Sequence, residues 1–578
     1  MSKKKKKAAK SPPLKDISPK PELSKLTRNQ KLLAACLIGV IFTLSVLTAK
    51  RYGMTWDEPW DLNSAERNLR YALTLNPFWM DFSRSVNFEI KGQHPNLWDG
   101  ASPLRTLAFG NLISSVGCYL FFTKLGVMNS ISAHHFPNKL LFAGMLAAVF
   151  CFVRRNWSFY AAFAVIPAIA FQPRLWADMQ FNLKDFPFAC FMAFTIIAIR
   201  NAVLRYSWKG IIFSAVLLGL SVATKPNAVL IVVITGVWFI FAHSSMTDVK
   251  GQRKKYFWVA MACSPVIVIA VYILVWPFLW SDPISKFKAF LNYYMSVAGK
   301  GPPHFQWDKI LLFLAVQPPA VLLFATIGIA AAIIEIKKGA RRELNIMMLL
   351  WLFLPVLRVA LPRAYDYDGV RHFIEYSIPL GIFTGVGFVA FCRWLYEKFV
   401  IRVPRKAALG MVAVSAALLP LGWAYRMYEI HPYEVVYFNF LVGGAKGAQK
   451  IWPTATDYWG SSYRDGMKWL NEHAEQGAMV SVPVAQHIVY DTRTLWLRDD
   501  LVFLGGHLDF YSPKTEALVM EYLKRNDKPI YVMYITKPDW YKDVVKFLES
   551  NKKPVYMITV DGAPILKIYK NDYSGPNP

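Results

Sequence analysis

Eleven apolar runs, each about long enough to cross a bilayer, dominate this sequence, near 32–50, 136–153, 159–175, 186–204, 210–223, 226–242, 257–279, 310–334, 343–361, 379–395 and 407–424. A spanning helix needs about 20 predominantly apolar residues. Inside the bilayer it must also satisfy its own backbone N–H and C=O groups, because no water is there to do so. A chain with so many such runs, 54% hydrophobic and only 18% charged, predicts a polytopic α-helical membrane protein.

The loops set the orientation. With the basic tail MSKKKKKAAK placed in the cytoplasm and the spans alternating, five cytoplasmic loops carry 18 Lys and Arg, and four short outer loops carry nine. The distribution follows the positive-inside rule. Residues 1–31 read as a basic, disordered cytoplasmic tail, and 32–50 as a retained signal-anchor. With eleven spans, residues 51–135 form a large first outer loop and residues 425–578 lie outside. The segment LRTLAFGNLISSVGCYLFFT, 104–123, is long enough to span, but counting it inverts every later loop. It reads as an interfacial or half-buried helix. A cysteine placed at position 300 is therefore expected to react with an impermeant reagent from outside intact cells, and one at 253 is not. Outside labelling of 253 would overturn the topology.

The net charge of +28 invites a nucleic-acid reading, but the excess lies in the tail and the short loops. Residues 425–578 hold 18 basic and 18 acidic residues. A phosphate-binding face on a folded domain requires clustered charge. The six cysteines show no CxxC spacing and none falls in 425–578, so neither a disulfide framework nor a zinc pattern is evident; they read as small buried hydrophobes. In 425–578 the runs AMVSVPV, PIYVMYI, PVYMITV and PILKIYK alternate with helical stretches at 512–525 and 537–550. That pattern predicts a small extracytoplasmic α/β domain, read here as supporting the catalytic module of 32–424 or positioning its acceptor.

Polar chemistry collects at the outer ends of the spans. GMTWDEPWDL follows the first span and presents Asp57 and Glu58. A second outer loop holds Arg174, Asp178, Lys184 and Asp185, a third Lys225, and a fourth Asp366, Asp368, Arg371 and His372. Two readings of Asp57 stay open. It can be the N-cap of a helix whose first turn contains Pro59, or a titratable group in a site. Carboxylates and cations converging on one membrane face suit transfer of a sugar from a polyprenyl-phosphate donor, with its tail in the lipid and its phosphate at the interface. A carboxylate takes the proton of the acceptor hydroxyl, and cations hold the leaving phosphate.

TWDEP after the first span resembles the Asp-Glu motif of the GT-C glycosyltransferases, in the superfamily of protein O-mannosyltransferases and aminoarabinose transferases. PRLWADMQFNLKDFPFA is similar to that superfamily's second acidic outer motif, and ATKPNAVL to its Thr-Lys segment. YDYDGVRHFIEYSIPL and the region from HPYEVVYFNF to MKWLNEHA resemble a bacterial, family-39-like branch. The resemblance implies Asp57 as general base with Glu58 its partner, Asp185 shaping the donor site, and Lys225 near the lipid phosphate. Arg174, Lys184, Arg371 and His372 are further candidates for the phosphate. It also implies a possible divalent metal ion. The aminoarabinose transferases have a metal-holding Glu late in the first loop, where this chain reads Gln93-His94-Pro95-Asn96, so His94, with His304, is the metal candidate here. The acceptor is a protein, lipid or glycan, and the expected location is a bacterial inner membrane. A flippase for lipid-linked sugars and a non-catalytic assembly factor are the rival readings.

Overall fold

The computed structural model describes residues 26–84, 86, 88, 90–95, 108–242, 251–297, 299–399, 405–506 and 511–573. Among these, seven helices are long and apolar enough to cross a membrane: Arg28–Arg51, Ser130–Asn156, Asp185–Leu204, Gln252–Leu274, Pro319–Lys337, Arg342–Ala360 and Arg371–Lys398. Phe159–Ala170, Trp208–Thr224 and Pro226–Ala242 are shorter apolar helices, and Arg405–Ile430 is a helix of 26 residues. The chain is a multi-pass helical membrane protein. The expected run at 310–334 is broken: Trp307–Ala315 ends, and Pro319–Lys337 begins after Pro318. A proline has no N–H to continue the ladder, so it starts a helix more readily than it extends one.

Helices Pro319–Lys337 and Ser377–Phe399 meet at glycines. A Cβ on Gly328 would collide with the carbonyl of Phe383, and one on Gly387 with the carbonyl of Phe324. Two helices approach this closely only where the side chain is absent, which is how packing holds membrane helices that gain nothing from expelling lipid.

Ala108–Gly117, continued by Cys118–Lys124, packs on Glu58–Thr74, on Ser130–Asn156 and on Trp208–Thr224. The described part of 104–123 is thus helical. The expected first four residues lie outside the described residues.

The C-terminal region is an α/β domain around one five-stranded sheet: β1 Met479–Ser481, β2 Val502–Leu504, β3 Ile530–Ile535, β4 Tyr556–Val560 and β5 Ala563–Lys570. The order is β2-β1-β3-β5-β4, with β1 parallel to β2 and β3, and β5 antiparallel to β3 and β4. All six residues of β3 are buried, as expected for a strand covered on both faces. Four strands fall in the expected runs. β2 falls in none of them: its apolar run, LVFL, is short, whereas β1, no longer itself, lies inside the run AMVSVPV. The expected helix at 537–550 is shorter, Asp543–Asn551, because Pro538 falls in a separate turn, Pro538–Trp540.

Candidate active site

The site is assembled from helix ends. Asp57 stands at the start of Glu58–Thr74, Lys184 and Asp185 at the start of Asp185–Leu204, Lys225 at the end of Trp208–Thr224, and Arg371 at the start of the turn that leads into Ser377–Phe399. Lys184, Asp185, Lys225 and Arg371 stand at the ends of apolar helices and Asp57 follows the apolar helix Arg28–Thr48, so these polar residues gather at one level.

Asp57 occupies the N-cap position, yet its side chain makes no capping hydrogen bond. Its Oδ2 instead accepts from Lys184 Nζ at 3.3 Å and from Arg371 Nη1 at 3.3 Å. Burial alone would raise its pKa, but Lys184 and Arg371 outweigh burial and hold it at about 2. Asp185 pairs with Lys225 at 2.5 Å and lies 3.5 Å from Arg371. Asn182 orients it: the Asp185 N–H donates to Asn182 Oδ1 at 2.8 Å, and Asn182 Nδ2 donates to Asp185 Oδ2 at 3.0 Å. Arg371 reaches a third carboxylate, Asp368, at 3.2 Å, and lies over the Trp459 ring at 4.7 Å. Four carboxylates and four cations therefore form one network once Asp61, 3.0 Å from Lys184, and Lys537, 3.0 Å from Asp368, are included.

Two cavities meet at Asp57. One, of about 450 Å³, is lined by Lys184, Lys225, Arg358, Arg363, Arg371 and His372. The other, of about 500 Å³, lies beneath the C-terminal domain, with Trp56, Trp60, Tyr458, Trp540, Lys309 and Lys537 in its walls. Asp57, Tyr365 and Tyr367 line both. The domain is tied directly to the Asp57 loop. The Trp56 N–H donates to the Trp459 carbonyl at 2.9 Å, His487 stacks on Trp60 with centroids 5.4 Å apart, and Lys537 pairs with Asp368 at 3.0 Å.

The other expected residues separate. Glu58 turns away from Asp57: it accepts from Thr55 N–H at 2.5 Å and Thr55 Oγ1 at 2.9 Å, contacts His135, and lines neither cavity. Adjacent residues at a helix start leave about 100° apart, which forces the pair to split. Arg174 is buried and lines the cavity beneath the C-terminal domain, stacked on Phe438 at 4.9 Å, rather than the cationic one. His372 lines the cationic cavity, but its ring is engaged by Asp366 at 3.0 Å, and its carbonyl accepts from Lys225 at 3.1 Å and Arg358 at 2.8 Å. His304 is exposed and lines neither cavity. His94 is buried beside Cys118 and His134. Neither histidine is placed to hold a metal at Asp57.

Sequence reading missed Asp61 and Lys537, and it placed Asp368 in the fourth outer loop without a role. Asp61 had a signal, since it lies four residues after Asp57 and so on the same helix face. Burial pushes its carboxyl up to about 6, with the neighbouring Asp57 adding to the rise. Asp178, also buried, is pushed up to about 7 and receives Asn182 Nδ2 at 2.5 Å. Lys537 had no local signal, because it arrives from the far end of the chain.

No family model and no curated protein matches the sequence. Among solved structures, ArnT from Cupriavidus metallidurans bound to undecaprenyl phosphate is similar at 13% identity and a TM-score of 0.46, over 96% of this chain and all of that one. The archaeal oligosaccharyltransferase AglB from Archaeoglobus fulgidus, in complex with an inhibitory peptide and a dolichol-phosphate, is similar at 11% identity and a TM-score of 0.49, over 95% of this chain and 75% of that one.

Proposed function

We propose that this chain is a GT-C-type glycosyltransferase of a bacterial inner membrane. It moves a sugar from a polyprenyl-phosphate donor to an acceptor hydroxyl at the outer face, with residues 32–424 as catalytic module and 425–578 as an outer domain. One observation carries the reading: Asp57 sits where a cationic cavity and an aromatic cavity meet. The cationic side suits the donor phosphate, the aromatic side a polar acceptor with an apolar face. The motif resemblance of TWDEP, FNLKDFP and ATKPN supports the same assignment.

In this reading the acceptor oxygen attacks the anomeric carbon, its proton passes to an Asp57 carboxylate oxygen, and the carbon–oxygen bond to phosphate breaks. The bonding pair leaves with the polyprenyl phosphate, held by Lys184, Lys225 and Arg371. A single displacement inverts the anomeric centre.

A carboxylate with a pKa of about 2 is a weak base, and geometry supplies the remedy. The two cations that depress it, Lys184 and Arg371, line the donor cavity. A bound phosphate draws them away from Asp57, which raises its basicity when the donor is in place and not before. Asp61 has the better-matched pKa of about 6, but it lines neither cavity.

Lys225→Ala is expected to weaken donor binding about ten- to a hundredfold, since a charge-assisted bond to phosphate contributes about 1.5–3 kcal/mol. Titration of the purified protein with a polyprenyl-phosphate sugar measures it. Unchanged affinity would remove Lys225 from the donor site. A donor-dependent transfer assay tests the function itself: a flippase moves the lipid-linked sugar intact and releases no free polyprenyl phosphate.

A further inference from the structure

The first outer loop and its neighbouring helices hold a second cluster that the transfer reaction does not use. His94 comes from the 90–95 turn, Cys118 from the end of the helix begun at Ala108, and His134 from Ser130–Asn156. One ligand-type atom from each lies within 4.8 Å of the others. All three side chains are buried. The two imidazoles are nearly perpendicular, at 74°, with centroids 6.0 Å apart.

Hydrogen bonding fixes the tautomer of both rings. His94 Nδ1 lies 2.9 Å from the Pro95 carbonyl, which can only accept, so Nδ1 carries the proton. Ser114 spends its one hydroxyl proton on the His134 carbonyl at 2.9 Å, so its oxygen accepts from His134 Nδ1 at 3.1 Å. Each neutral ring is left with a lone pair on Nε2. His134 Nε2 is fully buried and has no hydrogen-bond partner among the described residues. Such an orphan is costly unless something occupies it. The nearest carboxylate oxygen, Glu66 Oε1, is 3.8 Å away, and the other oxygen of Glu66 faces Arg70 at 3.8 Å.

We propose that His94, Cys118, His134 and Glu66 form a structural zinc site. Two imidazole nitrogens, a thiolate and a carboxylate are a set zinc takes tetrahedrally, and their two negative charges balance the ion in a buried place. Ring protons held on Nδ1 by a carbonyl and a hydroxyl are the arrangement that orients metal-bound histidines. Tetrahedral zinc sets its ligand atoms roughly 3.3–3.8 Å apart, so His94, Cys118 and His134 close by about an ångström on binding, and Glu66, which lies outside that group of three, turns its carboxylate inward from beside His134 to supply the fourth ligand. Binding expels the Cys118 proton to solvent and leaves the oxidation state of every group unchanged. The ion would join three segments of the first outer loop to the helix that starts at Asp57. His135, next to His134, holds Glu58, next to Asp57, so the ion would act on the site by position and not by chemistry.

The test is elemental analysis of the full chain, purified in detergent without chelator from zinc-supplemented cells. About one zinc per chain is expected. Exchange into cobalt should produce a thiolate-to-cobalt charge-transfer band. Cys118→Ser should abolish that band, and Ser114→Ala, which leaves all four ligands, should weaken metal affinity about 10- to 100-fold. His304→Ala and Asp57→Asn should retain full zinc, which keeps this result separate from the catalytic reading. Substoichiometric zinc in the unaltered chain, or a cobalt spectrum unchanged by Cys118→Ser, would overturn the site and leave Cys118 a buried apolar thiol.

Discussion

Asp57→Asn should lower sugar transfer by roughly 100- to 10,000-fold, the usual worth of a positioned general base, while donor binding stays within a few-fold. The amide keeps the volume and removes the proton acceptor. The change also removes a negative charge from between Lys184 and Arg371, so donor phosphate should bind no more weakly. Folding should survive, because no capping bond is lost and Lys184 and Arg371 keep Asp61, Asp185 and Asp368 as counter-charges. A helix cap would make the opposite forecast, with Asn a near-silent replacement. The comparison is a single-turnover transfer rate beside a donor binding titration. A wild-type rate in Asp57→Asn would end the catalytic reading.

The pH dependence follows with a definite sign. Asp57 has a folded pKa of about 2, below its ordinary value of 3.8. Its ionised form is favoured by folding, so its contribution to stability is fully present above about pH 4 and is lost as pH falls towards 2. Transfer should show no acid limb from Asp57 between pH 5 and 8 in the free enzyme. With donor bound and the cations drawn away, the limb should move upward. A pH profile of kcat that rises through a higher pKa than that of kcat/KM would show it.

Arg371→Ala should produce the largest loss of stability, about 3–5 kcal/mol, because removing one partner of a buried ion pair leaves its counter-charges uncompensated. Arg371 is 3% exposed and serves Asp57, Asp185 and Asp368 together. Arg371→Lys should fall between the two: it keeps a charge but loses the rigid fork that spans separate carboxylates. Thermal unfolding in detergent measures the series. A midpoint for Arg371→Ala equal to that of the unaltered chain would show that the network is not held by Arg371.

Much of the fold was legible in the sequence because membranes impose a period-free, length-based signal. Runs of apolar residues had to be helices, and the basic loops predicted which ends face inward. The same rule located Asp57, Lys184, Asp185, Lys225 and Arg371, since each stands just past the end of an apolar run. The sheet of the C-terminal domain was legible in the four strands that lie in seven-residue runs of strand-forming residues, and not in Val502–Leu504, whose apolar run LVFL stops at Gly505.

What the sequence could not decide is which neighbours face each other. TWDEP presents two adjacent carboxylates as a pair, yet only the tertiary structure sends Asp57 to Arg371, 314 residues away, and Glu58 to His135. Arg174 and Lys184 read alike as outer-loop cations, but Arg174 stacks on Phe438 while Lys184 joins Asp57. His94 looked like a partner for His304 and instead meets Cys118 and His134. Solvation alone sorts polar residues to the ends of spans, so one sequence is enough to read that placement. Pairing among them depends on packed helices and on a domain closing from the far end of the chain, where Coulomb attraction acts over a few ångströms and desolvation penalises every charge left alone.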